Sequence, residues 1–274
     1  MLTLFAMIAF ASNSLLCRAA LKETSIDDAS FTFIRIFSGA AALWLIMTMR
    51  RSTSHNTGNW LSGFALFVYA AAFSFAYNTL SAGTGALLLF GAVQATMILW
   101  GFHKGERLRV FQVLGLLVAL TGLVMLVFPG LSSPPLIGSI LMLSAGVAWG
   151  VYSLRGKTAG DAIAATAGNF LRAVPFAALV SIVMIRQARL DSLGLVYALV
   201  SGAITSGVGY VIWYWALSGL KASSAATVQL SVPVLAATGG ILLLSEPITM
   251  RYLIASIAVL GGIFLVVIEK QRAT

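Results

Sequence analysis

Apolar residues gather in long runs along the chain, and each run is closed by a short cluster of turn formers or charges. The runs fall at residues 3–20, 29–49, 60–80, 82–102, 110–128, 136–155, 164–185, 193–217, 222–245 and 250–268. Each approaches the roughly 20 residues that a helix needs to cross a bilayer. The pattern predicts ten membrane-spanning helices. Some connectors are very short: "LSAG" separates the third run from the fourth, and "SGLKAS" the eighth from the ninth. "PGLSSPP" (Pro129–Pro135) marks the midpoint. The first run lies in "MLTLFAMIAFASNSLLCRAA", which lacks the basic start and small-residue cleavage site of a signal peptide. Leu16 stands where a lipoprotein processing site at Cys17 would need a small residue, so the run reads as a retained helix.

Composition fixes the solvent. Of the 274 residues, 59% are apolar and 9% charged, and the mean hydropathy is +0.97. An ordinary soluble domain is about 45–50% apolar and about 25% charged. Lipid must therefore surround most of this chain. The net charge of +9 does not point to nucleic acid, because the cations lie between apolar runs and form no single basic stripe. The lone cysteine, Cys17, excludes an internal disulfide and reads as a buried, inert thiol.

With ten spans both termini share one side. The connectors on that side hold ten cations: Arg50, Arg51, Lys104, Arg107, Arg109, Arg155, Lys157, Lys221, Lys270 and Arg272. The other side holds five: Arg18, Lys22, Arg186, Arg189 and Arg251. The positive-inside rule places the termini in the cytoplasm.

The second half repeats the first. At an offset of 137, Phe33 and Arg35 meet Phe170 and Arg172, and Arg18 meets Arg155. After a three-residue insertion the offset is 140, and Glu106 meets Glu246 and Gly122 meets Gly262. The unit has five helices, an odd number, so the second copy is upside down in the membrane. The expected fold is an all-α integral membrane protein with ten transmembrane helices as two inverted five-helix repeats, residues 1–130 and 136–274. In secondary transporters so built, the binding site lies near the midplane between the copies.

Several stretches carry a resemblance. "SAGTGALLLFGAVQATMILWGFHKGERL" (Ser81–Leu108) and "KASSAATVQLSVPVLAATGGILLLSEPI" (Lys221–Ile248) each close on an acidic residue before a Gly-rich helix, and "AGVAWGVYSLRGK" spans Ala145–Lys157. With the five-plus-five pattern, they resemble the drug/metabolite transporter superfamily of the EamA type over nearly the whole chain. The resemblance implies a ten-helix exporter of small metabolites with a central cavity lined mainly by helices other than the fifth and tenth. Within the superfamily, the aromatic amino-acid exporters of the YddG type are the group it suggests.

Arg35 and Arg172 lie in the first turns of their runs, where a guanidinium can snorkel to an interface. A gate or an anion contact is the functional reading. Their recurrence in both copies favours the other, arginines bonded to helix-end carbonyls of a neighbour. Glu106 and Glu246 close the fourth and ninth runs, where a carboxylate binds the free N–H groups of the next helix. Pro175 and Pro233 leave carbonyls free in the seventh and ninth helices, as a kink or hinge would. His55 and His103 are connector residues, so no metal set or catalytic triad is visible.

The aromatic and amide residues outline a cavity. Tyr69, Phe73 and Tyr77 share a helix face, as do Tyr210, Trp213 and Tyr214, and the repeat pairs Phe73 with Tyr210 and Tyr77 with Tyr214. Tyrosine hydroxyls need partners and suit a wet cavity or an interface belt; Tyr77 and Tyr214 are expected on opposite cavity walls. Ser12, Asn13, Gln94, Trp149, Tyr152 and Gln229 are polar or amphipathic at depth and must face protein or water. The small-residue run "SGAITSGVG" (Ser201–Gly209) permits close helix contact.

These features predict an inner-membrane secondary transporter that exports small, partly apolar metabolites, amino acids first, by alternating access. It would be loosely selective and act as a monomer. No nucleotide-binding loop is present, so neither ATP nor any other cofactor is called for. An intramembrane lipid-modifying enzyme and a channel are the alternatives.

Overall fold

Helix starts in a membrane protein must satisfy their own free N–H groups, and this chain places a polar side chain at most of them. In the computed structural model, which describes residues 2–50, 57–105, 109–128, 130, 133–156, 161–218 and 228–272, Asp27 accepts from the Ala29 and Ser30 amides and opens α2 (Asp28–Met49). Asn59 accepts from Ser62 at the start of α3 (Trp60–Tyr77), and Ser81 from Thr84 at the start of α4 (Ala82–His103). Asp161 caps α7 (Ala162–Val183) through the Ile163 and Ala164 amides. The remaining helices of the first half are α1 (Leu2–Glu23) and α5 (Val110–Val127), and α6 (Leu136–Gly156) opens the second. Asp191 caps α8, which runs on in three abutting pieces: α-helical Ser192–Val200, π-helical Ser201–Val208 and α-helical Gly209–Ser218. Then come α9 (Ser231–Leu244) and α10 (Met250–Arg272).

No strand occurs among the described residues. Eight helices there, α1 to α8, are long and apolar enough to cross a membrane; the apolar stretches in α9 and α10 are shorter. Side chains such as Ile137, Leu242 and Ile257 are three-quarters exposed, a surface that only lipid would leave unpenalised.

α9 begins at Ser231, after a turn at Leu230 that follows helical Val228 and Gln229; the stretch 222–227 of the expected run lies outside the described residues. Leu230 forms a turn, which puts Pro233 in the first turn of α9, where its missing N–H would be unpaired anyway. The interruption at Leu230, three residues before Pro233, separates helical Val228 and Gln229 from α9, as a proline break would. α7 does run unbroken through Pro175, which deprives the Leu171 carbonyl of its usual intrahelical donor.

The packing survives exchange of the halves α1–α5 and α6–α10. α3 on α6 becomes α8 on α1, α4 on α6 becomes α9 on α1, and α3 on α7 becomes α8 on α2; all six packings occur. The pairs α2–α7, α4–α9 and α5–α10 each map onto themselves, and all three occur. Glycines let α5 and α10 touch backbone to backbone: a β-carbon on Gly115 would come to 2.5 Å from the Gly262 carbonyl oxygen. This pair packs beside α4 and leaves the centre to the other helices.

Connectors sort into two ends. At one, Asp27 accepts the Arg189 N–H (2.8 Å), Arg18 reaches Glu246 and the carbonyls of Tyr77 and Asn78, and Arg251 donates to the Phe128 carbonyl. At the other, Arg155 donates to Asn59 (3.1 Å) and Arg50 lies 3.9 Å from Asp161. Odd-numbered connectors thus meet at one end, and the second and sixth at the other, as helices running up and down require.

Candidate functional site

Aromatic rings from α1, α3, α6 and α8 converge at the centre on Trp149. Its ring centroid lies 4.8 Å from Tyr69, 5.0 Å from Tyr210, 5.5 Å from Tyr152 and 6.3 Å from Phe10. Phe10 also meets Tyr210 and Trp213 edge-on, at 5.9 and 5.8 Å. Between them is a void of about 10 Å³, lined by Phe10, Asn13, Ser14, Tyr69, Phe73, Leu89, Phe90, Trp149 and Tyr210. That is room for roughly one water. A metabolite needs far more, so the helices must part to admit one.

A polar chain crosses this aromatic centre. Asn13 donates to the Tyr69 hydroxyl (3.4 Å) and accepts from Ser201 (2.7 Å) and Thr205 (3.2 Å). Arg35 Nη2 donates to the same Tyr69 hydroxyl (3.1 Å), and Arg35 Nε to the Ser206 hydroxyl (3.5 Å). The guanidinium carbon lies 4.7 Å from the Phe73 ring centre and 5.4 Å from that of Tyr69. Ser201, Thr205 and Ser206 all come from the π-helical piece of α8. Departures from α-helix of this kind cluster at functional sites. Gly202 makes the geometry possible, because a β-carbon there would strike the Ser38 hydroxyl and the Arg35 carbonyl.

Arg35 is therefore not an interfacial, snorkelling residue. Its side chain is 2% exposed and sealed between α3 and the π-helical turn. Arg172, its counterpart, behaves differently: Nη1 donates to the carbonyl of Thr57 (3.1 Å), in the connector ahead of α3, and to that of Gly168 (2.9 Å), one turn back in its own helix. The frame is symmetric, but the site is not. The repeat aligns Tyr69 with Ser206, and both bond Arg35.

At the odd-connector end, Arg18 Nε donates to Glu246 Oε1 (2.9 Å), and Glu246 Oε2 accepts the Ala82 amide (2.8 Å). Glu246 thus caps α4, the counterpart of the helix it follows, and not α10, the next helix in sequence. A second cavity of about 250 Å³ opens at this end among Thr79, Ser81, Pro134, Glu246 and Tyr252.

Of the other residues picked from sequence, Asn13, Phe73, Trp149 and Tyr210 line the void. Tyr152 and Trp213 are buried one ring further out. Tyr77 does not reach the void: its hydroxyl donates to the Ala82 carbonyl (3.2 Å), and its ring fills the space beside Gly85. Gln94 is buried in α4 away from the void, and Gln229 is half-buried next to the Leu230 turn. Glu106 and the Tyr214 side chain lie outside the described residues. Sequence reasoning missed Phe10, Ser14 and Arg35 as central groups. Tyr69 stood in the aromatic stripe and Ser201, Thr205 and Ser206 in the small-residue run, so a partial signal existed for those.

The EamA-like transporter family matches this chain twice, over residues 1–128 and 136–268. An uncharacterized protein of Pseudomonas aeruginosa is 58% identical over 271 residues, covering 98% of this chain and 94% of that one. An uncharacterized transporter of Bacillus subtilis is 23% identical over 249 residues, 86% and 85% of the two chains. A probable amino-acid metabolite efflux pump of Escherichia coli is 25% identical over 228 residues, 76% of each. One crystal structure superposes with a TM-score of 0.70 at 19% identity, over 99% of this chain and 98% of that one, which establishes likeness of fold.

Proposed function

We propose that this chain, which belongs to the EamA-like transporter family, is an inner-membrane secondary transporter exporting small, partly apolar metabolites, amino acids first and aromatic ones among them. The observation that carries this reading is the buried centre where both halves supply aromatic rings and a bonded polar chain. Rings suit an apolar side chain, and the polar chain suits a charged end. The name of the Escherichia coli relative lends the amino-acid class further support.

Ten spans in two five-helix halves, 1–130 and 136–274, form the transport unit, with the second half inverted. Packing that survives exchange of the halves supports the inversion. The residues lining the void all come from one chain, which supports the monomer as the working unit. The excess of cations on the even-connector side, ten against five, supports cytoplasmic termini. Substrate would reach the centre by alternate parting of the two ends, with the Arg18–Glu246 contact shutting one of them.

Purified protein in liposomes, given a panel of labelled amino acids with and without a pH gradient, tests this. Saturable uptake stimulated by unlabelled substrate on the far side is expected. Flux without such stimulation would indicate a channel, and flux no greater than in protein-free liposomes would defeat the reading.

A further inference from the structure

Arg35 is a cation at the centre of the protein with no anion beside it. The ion pairs among the described residues join Arg18 to Glu246 and Arg50 to Asp161, not Arg35 to anything. Its bonds go to two neutral hydroxyls, and its Nη1 has no hydrogen-bond partner among the described residues. Hydroxyls and ring faces offset only part of the cost of burying a charge. Unlike Arg172, Arg35 donates to no backbone carbonyl among the described residues, so it does not fasten a connector.

The groups around it are donors. The Tyr69 hydroxyl already accepts from Asn13 and Arg35, which leaves its own proton for a third partner. The Tyr210 hydroxyl, also on the void, is buried near that of Tyr69 and makes no hydrogen bond of good geometry among the described residues. The one nearby acceptor of note, Asn13 Oδ1, is taken by Ser201 and Thr205. A void edged by the Tyr69 and Tyr210 hydroxyls, with the Arg35 guanidinium directly behind Tyr69 and Phe73, is built for an anion.

We infer that Arg35 anchors a carboxylate on the transported molecule, assisted by the hydroxyls of Tyr69 and Tyr210, while Trp149 and Phe10 face its apolar body. The inference rests on the transport reading and narrows it. The substrates are organic carboxylates with a ring-sized apolar part. An α-ammonium group is not required, because no carboxylate is among the residues lining the void to receive one.

Three labelled probes of one skeleton decide the matter: phenylalanine, 3-phenylpropionate and phenylalaninamide. Binding to purified protein and exchange flux in liposomes are measured for each. The wild type should bind and exchange the two carboxylates at least about tenfold better than the amide, the cost of losing a charge-assisted hydrogen bond. Arg35→Gln should remove that preference, and Arg35→Lys should keep part of it, since the charge stays and the planar fork is lost. The melting temperature of Arg35→Gln without probe should equal or exceed that of the wild type, because an uncompensated charge has been removed. Wild-type preference for the amide, or undiminished carboxylate preference in Arg35→Gln, would overturn the inference while leaving transport intact. No binding or exchange of any of the three by the wild type would overturn the inference, and only the absence of flux across the wider amino-acid panel would defeat the transport reading as well.

Discussion

Arg18 and Glu246, 228 residues apart, meet at 2.9 Å and tie α1 to the α9–α10 turn. The same two side chains reach the Tyr77 and Asn78 carbonyls and the Ala82 amide, so one pair fastens the end of α3 and the start of α4 as well. Both side chains are largely buried, at 14% and 7% exposed, and the pair is worth more than a surface one. Removing either partner should lower stability by about 1.5–3 kcal/mol, the range for a hydrogen bond to a charged group. Arg18→Met and Glu246→Met, alone and together, give a double-mutant cycle on melting temperature. The double variant should lose clearly less than the sum of the singles. Strict additivity would mean that the contact fastens nothing.

Gly202 sets the distance between α8 and α2. A β-carbon there would meet the Arg35 carbonyl, whereas one on Gly207 would find Ala42 at 3.4 Å, an ordinary contact. Gly202→Ala should therefore cost stability on the scale of overpacking, about 1–3 kcal/mol, and impair substrate binding, while Gly207→Ala should do neither. Comparable melting temperatures for the two would refute the close approach.

Arg172 should prove architectural. It holds the Thr57 carbonyl ahead of α3 and, within α7, the Gly168 carbonyl, and it is not among the residues lining the void. Arg172→Gln is expected to lower the melting temperature while exchange per folded molecule keeps its substrate affinity. A raised half-saturation concentration with unchanged stability would place Arg172 in the site instead.

Asp27 gives the end of the bundle an acid sensitivity. Burial works against its ionisation, but hydrogen bonds from Ser30 and the Arg189 amide outweigh burial and hold its pKa below the ordinary 3.8. A carboxyl with a lowered folded pKa adds stability above its unfolded value, and that contribution is lost as pH falls through the folded one. Melting temperature should therefore drop on acidification below about pH 4, and Asp27→Asn should flatten that part of the profile. An unchanged slope in Asp27→Asn would assign the acid loss to other groups.

Helices and their order were legible because each span is an apolar run closed by a cap such as Asp27, Asn59, Ser81 or Asp161. Asn13, Phe73, Trp149 and Tyr210 were legible for the same reason: polar or amphipathic groups at mid-helix must turn away from lipid. The depth of Arg35 was not. Position along a helix does not say how thickly neighbours cover it, and the cover here is a π-helical turn whose run of small residues resembles any close-packed helix. Tyr77 misled through its spacing, which puts it on the Phe73 face but one turn nearer the helix end, where the Ala82 carbonyl takes its hydroxyl. Glu246 was expected to cap the following helix because sequence neighbours are the only partners a sequence displays; the fold presents it to α4 instead.

Alternating access to the central void is the claim on which the rest depends. Ser14 lines that void and is 1% exposed, so a small thiol in its place reports on the centre alone. With Cys17 replaced, Ser14→Cys in oriented membrane vesicles is treated with an impermeant maleimide from one side or the other. The account predicts slow labelling from each side, with bound phenylalanine protecting the thiol and unlabelled substrate on the far side changing the rate. Labelling from neither side, or from one side only whatever substrate is present, would contradict it.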